Sequence, residues 1–131
     1  MKNVFKVGDK KVFERLVRQE DGASFEGSHI HPVYSTFSIT RDAEWCSRLF
    51  VLEMKEEMEE GIGTFVNVKH ISPALIGETV LFEAVIDELK GNEVNCSFTA
   101  KTGERLIAEG RTGQKILLKE KIEKLLEGLS K

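Results

Sequence analysis

The spacing of apolar side chains changes character along the chain. Over residues 4–17, Val4, Phe5, Val7, Val12, Phe13, Leu16 and Val17 are interrupted by the turn signal Gly8-Asp9. A strand pair, or one strand with a bend, is expected there. Residues 18–35 (RQEDGASFEGSHIHPVYS) are polar and glycine-bearing. They read as a long loop, the kind of segment that serves as a lid or binding element. From Thr40 to about Glu60 the period becomes helical. Ala43, Cys46, Leu49, Phe50 and Met54 mark one face, which Trp45, Val51 and Leu52 widen. Thr40 offers an N-cap, Asp42 a carboxylate for the first turn, and Gly61 a stop. So broad an apolar surface suits a helix covered on most sides.

From Gly63 onward the period is two. Thr64, Val66, Val68 and His70 alternate with Phe65, Asn67, Lys69 and Ile71; Val80, Phe82, Ala84 and Ile86 alternate with Leu81, Glu83, Val85 and Asp87. Lys90-Gly91-Asn92 turns into Val94, Cys96, Phe98 and Ala100, and Thr102-Gly103 turns into a last strand from Arg105 to about Leu118. This is an antiparallel meander with short turns. Leu118, Ile122, Leu125, Leu126 and Leu129 then share one face of a C-terminal helix. The fold class is α+β, an antiparallel sheet wrapped around one central helix, which is the hot-dog arrangement. A sheet edge and one face lack cover, so a homodimer is expected.

At 131 residues the chain is expected to form a single domain over 1–131, large enough for one core. A net charge of -3 provides no basic stripe, which argues against a nucleic-acid partner. Cys46 and Cys96 form no CxxC pair and read as free thiols in a reducing compartment, so a cytoplasmic location is expected. No apolar run has the length of a signal peptide or a membrane span, and no membrane partner is expected. His29, His31 and His70 are a weak zinc set, because the His-Ile-His pair has no acidic neighbour at ligand spacing; no metal is expected.

Three polar residues stand out against this background. Glu44 lies between Ala43 and Trp45 on an apolar helix, where a poorly solvated carboxylate suits a general base. The plainer reading is an ion pair with Arg48 at i+4. Thr36 precedes the helix, where most threonines bond the local backbone. Beside a Glu and a His its hydroxyl becomes a nucleophile or a group that positions water. His70 shares the phase of Val66 and Val68 and so points towards the helix that carries Glu44. A satisfied core histidine is the alternative. Cys46 falls on the core face, where it fills space better than it attacks. Gly61-Ile62-Gly63 reads as a helix stop, and Ser35 and Ser38 as local capping groups.

The runs VYSTFSITRDAEW (33–45) and FVNVKHISPALIGETV (65–80) resemble the fluoroacetyl-CoA thioesterase family. That family carries a Thr, a Glu eight positions later followed by Trp, and a His at the end of the next strand. Thr36, Glu44-Trp45 and His70 reproduce the pattern, and Gly77 falls at the matching distance after His70. The resemblance implies hydrolysis of a short acyl-CoA thioester by catalytic Thr36, Glu44 and His70. Coenzyme A would enter as part of the substrate, with no separate cofactor. The chain departs from the fluoroacetate enzyme in two places. Gly27, Ser28, His29 and Ile30 stand where that enzyme has aromatic lid residues, and Thr112 and Gln114 where its last strand has a His and an Arg. The reaction class is therefore better supported than the acyl group. Non-catalytic acyl-CoA binding and hydratase or dehydratase chemistry are the alternatives.

Overall fold

The computed structural model describes residues 1–25 and 28–130. Gly27 lies outside the described residues, as do the side chains of Ser28, His29 and Ile30, so the lid comparison and the His-Ile-His metal reading fall largely beyond it. The elements are β1 (Lys10–Leu16), a short 3-10 turn (Gln19–Asp21), β2 (Gly22–Phe25), β3 (Ser28–Tyr34), α1 (Thr36–Met54), β4 (Glu59–His70), β5 (Thr79–Lys90), β6 (Glu93–Thr102), β7 (Arg105–Leu118) and α2 (Lys119–Leu129). Five strands form one antiparallel sheet in the order β1-β5-β6-β7-β4, and β2 pairs with β3 in a separate hairpin.

The period-two pattern builds the core. Val80, Phe82, Ala84 and Ile86 of β5 and Val94, Cys96, Phe98 and Ala100 of β6 are buried on one face of the sheet. Helix α1 covers that face with Ile39, Ala43, Cys46, Phe50 and Met54, the three-and-four spacing of a buried stripe. The Phe82 ring is the hub, with ring centroids of Phe13, Tyr34 and Phe98 at 6.3, 6.3 and 6.5 Å. Two-residue turns join β5 to β6 and β6 to β7. Gly91 and Gly103 occupy them at φ +61° and +58°, the left-handed region that tight hairpins require.

Several expectations are corrected. Residues 10–16 form one strand, entered through a turn at Gly8. The 18–35 segment is mostly the β2–β3 hairpin; register shifts at Gly22/Ala23 and Ala23/Ser24 break its period, which is why it read as loop. Helix α1 begins at Thr36 and not at Thr40. Ser35 is its N-cap, its hydroxyl accepting from the Ser38 N–H at 3.0 Å, while the Thr40 hydroxyl bonds back to the Thr36 carbonyl. Asp42 is consequently buried in the second turn and does not meet the helix dipole. The helix ends at Met54, so Gly61 is not its stop but lies inside β4.

Strand β4 occupies the sheet edge, paired on one side with β7. Ile62 to Asn67 are all exposed, including the apolar Ile62, Phe65 and Val66. The C-terminal helix forms as expected, yet none of its residues is buried. Among the described residues, no helix is long and apolar enough to cross a membrane.

Candidate active site

Helix α1 starts where β4 ends. The Tyr34 N–H donates to the Ala74 carbonyl at 2.8 Å, and Val33 bridges Leu75. These contacts tie the segment before the helix to the loop after β4. They bring Thr36, the first helical residue, to His70, the last residue of β4, with Oγ1 and Nδ1 2.9 Å apart. Thirty-four positions separate the two in sequence. The imidazole Nε2 is buried without a hydrogen-bond partner among the described residues. A hydroxyl donating to Nδ1 would leave the ring proton on Nε2, and in this tautomer Nδ1 can take the threonine proton.

Glu44 is eight residues further on, about 12 Å along the helix axis at the α-helical rise. Its carboxylate lies against Gly63 of β4: a Cβ built there would sit 2.7 Å from Oε1. Gly63 thus leaves the carboxylate its seat. With Thr64, Phe65 and Val66 the two residues line a small cleft. On the other side Glu44 borders an open cleft of about 380 Å³ with Phe37, Thr40, Arg41, Trp45 and Arg48. Phe37 and Trp45 are 83% and 42% exposed there. The helix, expected to be covered on most sides, is open along the Phe37 and Trp45 side within one protomer. The structure brings Thr36 and His70 together but gives Glu44 no hydrogen bond to either.

The i+4 pair of Glu44 with Arg48 does not form. Arg48 turns to β4 instead, its Nη2 2.8 Å from Glu60 Oε1 and its Nη1 donating to the Gly61 carbonyl at 3.3 Å.

Sequence reasoning missed a buried charge network beside Thr36. Asp42, 1% exposed, accepts paired bonds from Arg15 at 3.1 and 3.0 Å and from Arg41 at 3.0 Å each, and the Tyr34 hydroxyl donates to it as well. Arg41 also reaches Asp21, which accepts the Arg18 N–H. Burial alone would raise the Asp42 carboxyl, but the bonds from Arg15, Arg41 and Tyr34 hold it below the ordinary carboxylate range. Asp21 is held low against burial by the Arg18 N–H and Arg41. Burial and the Asp42 carboxylate together push the Tyr34 hydroxyl up. Arg15 belongs to β1, so no local spacing advertised this network.

The other candidates are placed plainly. Burial pushes the Cys46 and Cys96 thiols up to about 11 and about 12, and both are free and buried, which suits space-filling and not attack. Thr112 donates to the Ser47 hydroxyl at 2.7 Å beneath the helix. Gln114 is buried opposite Gly63. Among the described residues no cluster of three His, Cys, Asp or Glu side chains could hold a metal ion.

A sheet wrapped around one helix is the arrangement this chain shares with solved hot-dog proteins. A hypothetical protein of Thermus thermophilus, a thioesterase superfamily member, superimposes with a TM-score of 0.91 at 36% identity, covering 98% of this chain and 95% of that one. The fluoroacetyl-CoA thioesterase superimposes at 0.87 with 20% identity over 96% and 98%. A variant of it in complex with acetyl-CoA gives 0.86 with 19% identity over 97% and 100%. The fold is the hot-dog fold. Residues 17–120 match the family model described as fluoroacetyl-CoA-specific thioesterase, and the chain belongs to that family of acyl-CoA thioesterases. No curated protein sequence matches it significantly.

Proposed function

We propose that the protein hydrolyses small acyl-CoA thioesters at a site shared by two copies of the chain. The observation that carries this reading is the 2.9 Å contact of Thr36 with His70 at the start of α1. Hydrolysis needs an oxygen to attack the carbonyl carbon and a group to move its proton. The Thr36 hydroxyl either attacks or orients the attacking water. In both cases His70 Nδ1 takes the proton and returns it to the sulfur of coenzyme A as the C–S bond breaks. Glu44 supplies the second basic group, which activates or orients water. Coenzyme A is part of the substrate, and no separate cofactor enters the reaction.

Glu44 of the same protomer stands two helical turns from Thr36, whereas the edge of β4 supports a closer source. Antiparallel pairing of two β4 edges centred near Val66 and Asn67 sets His70 of one copy opposite Gly63 of the other. Glu44 of the partner subunit, seated against that glycine, then faces the Thr36–His70 pair. The exposed run from Ile62 to Asn67 is the surface such pairing would cover. A homodimer is therefore the functional unit in this reading. Two buried free thiols suit a reducing, cytoplasmic setting.

The test is a panel from acetyl- to aromatic acyl-CoA, followed by loss of thioester absorbance, with Glu44→Gln and His70→Ala alongside. Each substitution should lower turnover at least ~100-fold; near-wild-type rates in both would end the assignment. A mass shift on Thr36 after quenching marks direct attack, and its absence marks an oriented water. Equal mixtures of Thr36→Ala and Glu44→Gln chains, allowed to exchange subunits, should recover about a quarter of wild-type activity, because half the dimers regain one intact site. No recovery would place all three groups in one protomer. Binding without turnover, or water addition to an enoyl-CoA, would favour a carrier or a hydratase.

A further inference from the structure

We infer that Glu60 is a positioning residue: by holding Arg48 on β4 it keeps the Glu44 carboxylate free of the cation one helical turn away. The inference rests on Glu44 acting as the basic group of the site. A Glu four residues before an Arg is the favoured helical ion-pair order, so Arg48 should by default lie against Glu44. It lies instead against Glu60 at 2.8 Å, with a second donor on the Gly61 carbonyl at 3.3 Å. Glu60 is itself fixed, because its Oε1 accepts the Gly61 N–H at 3.0 Å and Lys55 Nζ stands 3.8 Å from its Oε2.

Gly61 keeps room for this arrangement. A Cβ there would meet Val51 Cγ1 at 2.5 Å and Arg48 Nη1 at 3.4 Å. The Gly61 N–H and the Arg48 guanidinium hold the Glu60 carboxyl low, so it stays ionised and the restraint persists across the neutral range. Other charges near Glu44 are few. Arg41, on the same helix, is committed to Asp21 and Asp42. The β4 lining of Gly63, Thr64, Phe65 and Val66 carries no titratable group, and β7 brings the neutral Gln114 opposite Gly63. In the proposed assembly His70 of the partner subunit also faces it. Arg48 is thus the cation best placed to quench Glu44, and Glu60 is what restrains it.

Without Glu60 the guanidinium swings to Glu44 and makes it a weaker base. Hydrolysis by Glu60→Gln should fall about 3- to 10-fold, a modest share of what a general base contributes. The acid limb of its pH–rate profile should move lower by a few tenths of a unit to about one unit. Glu60→Asp, which keeps the carboxylate, should stay near wild type. The decisive readout is rescue: the double variant Arg48→Met/Glu60→Gln should return to within about twofold of wild type, since no freed cation remains. A wild-type rate for Glu60→Gln would overturn the inference. So would a double variant as slow as the single, which is the result a merely structural ion pair predicts. Glu44→Gln, run in parallel, separates the two levels. If it remains active, the assignment of Glu44 fails; if it is inactive while Glu60→Gln is unaffected, only the role of Glu60 fails.

Discussion

Strands β4 and β5 are each twelve residues long, and both alternate in sequence, yet they do different work. Strand β5 has a neighbour on either side and buries Val80, Phe82, Ala84 and Ile86 behind α1. Strand β4 has one neighbour, leaves Ile62 to Asn67 in the open, and presents two glycines and a histidine to the helix. Glycine weakens a strand interior and marks a close approach. Here Gly61 admits Val51 and Gly63 admits the Glu44 carboxylate. Stability is concentrated on the strand with two partners. The candidate chemistry sits on the strand with one partner and an open edge.

Substitutions can break or sharpen this contrast. Phe82→Ala should cost about 3–5 kcal/mol in urea unfolding, because it empties the hub of the aromatic core. Phe65→Ala on β4 should cost the protomer under ~1 kcal/mol; equal losses would contradict the division. Charged groups should follow the same division. Removing one partner from the buried network by Asp42→Asn should cost roughly 3 kcal/mol at neutral pH, whereas Glu60→Gln, which breaks a partly exposed pair between β4 and α1, should change stability by no more than ~0.5 kcal/mol.

The network also sets an acid limb to stability. Asp42 and Asp21 are depressed in the folded state, so their contribution is complete above the ordinary aspartate range. It is lost as pH falls below about 4 towards their lowered values. The gap between wild type and Asp42→Asn should narrow over that window. The smallest effect on the stability of the protomer itself is at the open edge. In the proposed homodimer, Val66→Lys should weaken association at least ~10-fold in light scattering while leaving the urea midpoint nearly unchanged.

How much of this was legible depended on whether the determining contacts are local. The β5–β6–β7 meander was readable because alternation and the turns at Gly91 and Gly103 are properties of neighbouring residues. The β2–β3 hairpin was not, since its pairing is irregular and its residues mostly polar. The helix start was misplaced by one turn although its signal was present: Ser35 caps the Ser38 N–H, while Thr40 offered a second cap one turn later. Local spacing also predicted a Glu44–Arg48 pair that a contact twelve residues away displaces. Strand phase turned His70 towards the helix, but its pairing with Thr36 came from resemblance to a family, because no local pattern announces a contact across 34 positions. Asp42 was read as a helix-dipole carboxylate, because its partners Arg15 on β1 and Tyr34 at the end of β3 were invisible from the helix alone.

The two buried cysteines have a practical consequence at the bench. With their sulfurs enclosed in the core and protonated at any assay pH near 8, Cys46 and Cys96 offer almost no thiolate to an aromatic disulfide dye. Colour development during turnover would then report released coenzyme A with little background from the enzyme, and a slow rise in that background would be a direct sign of the native fold opening.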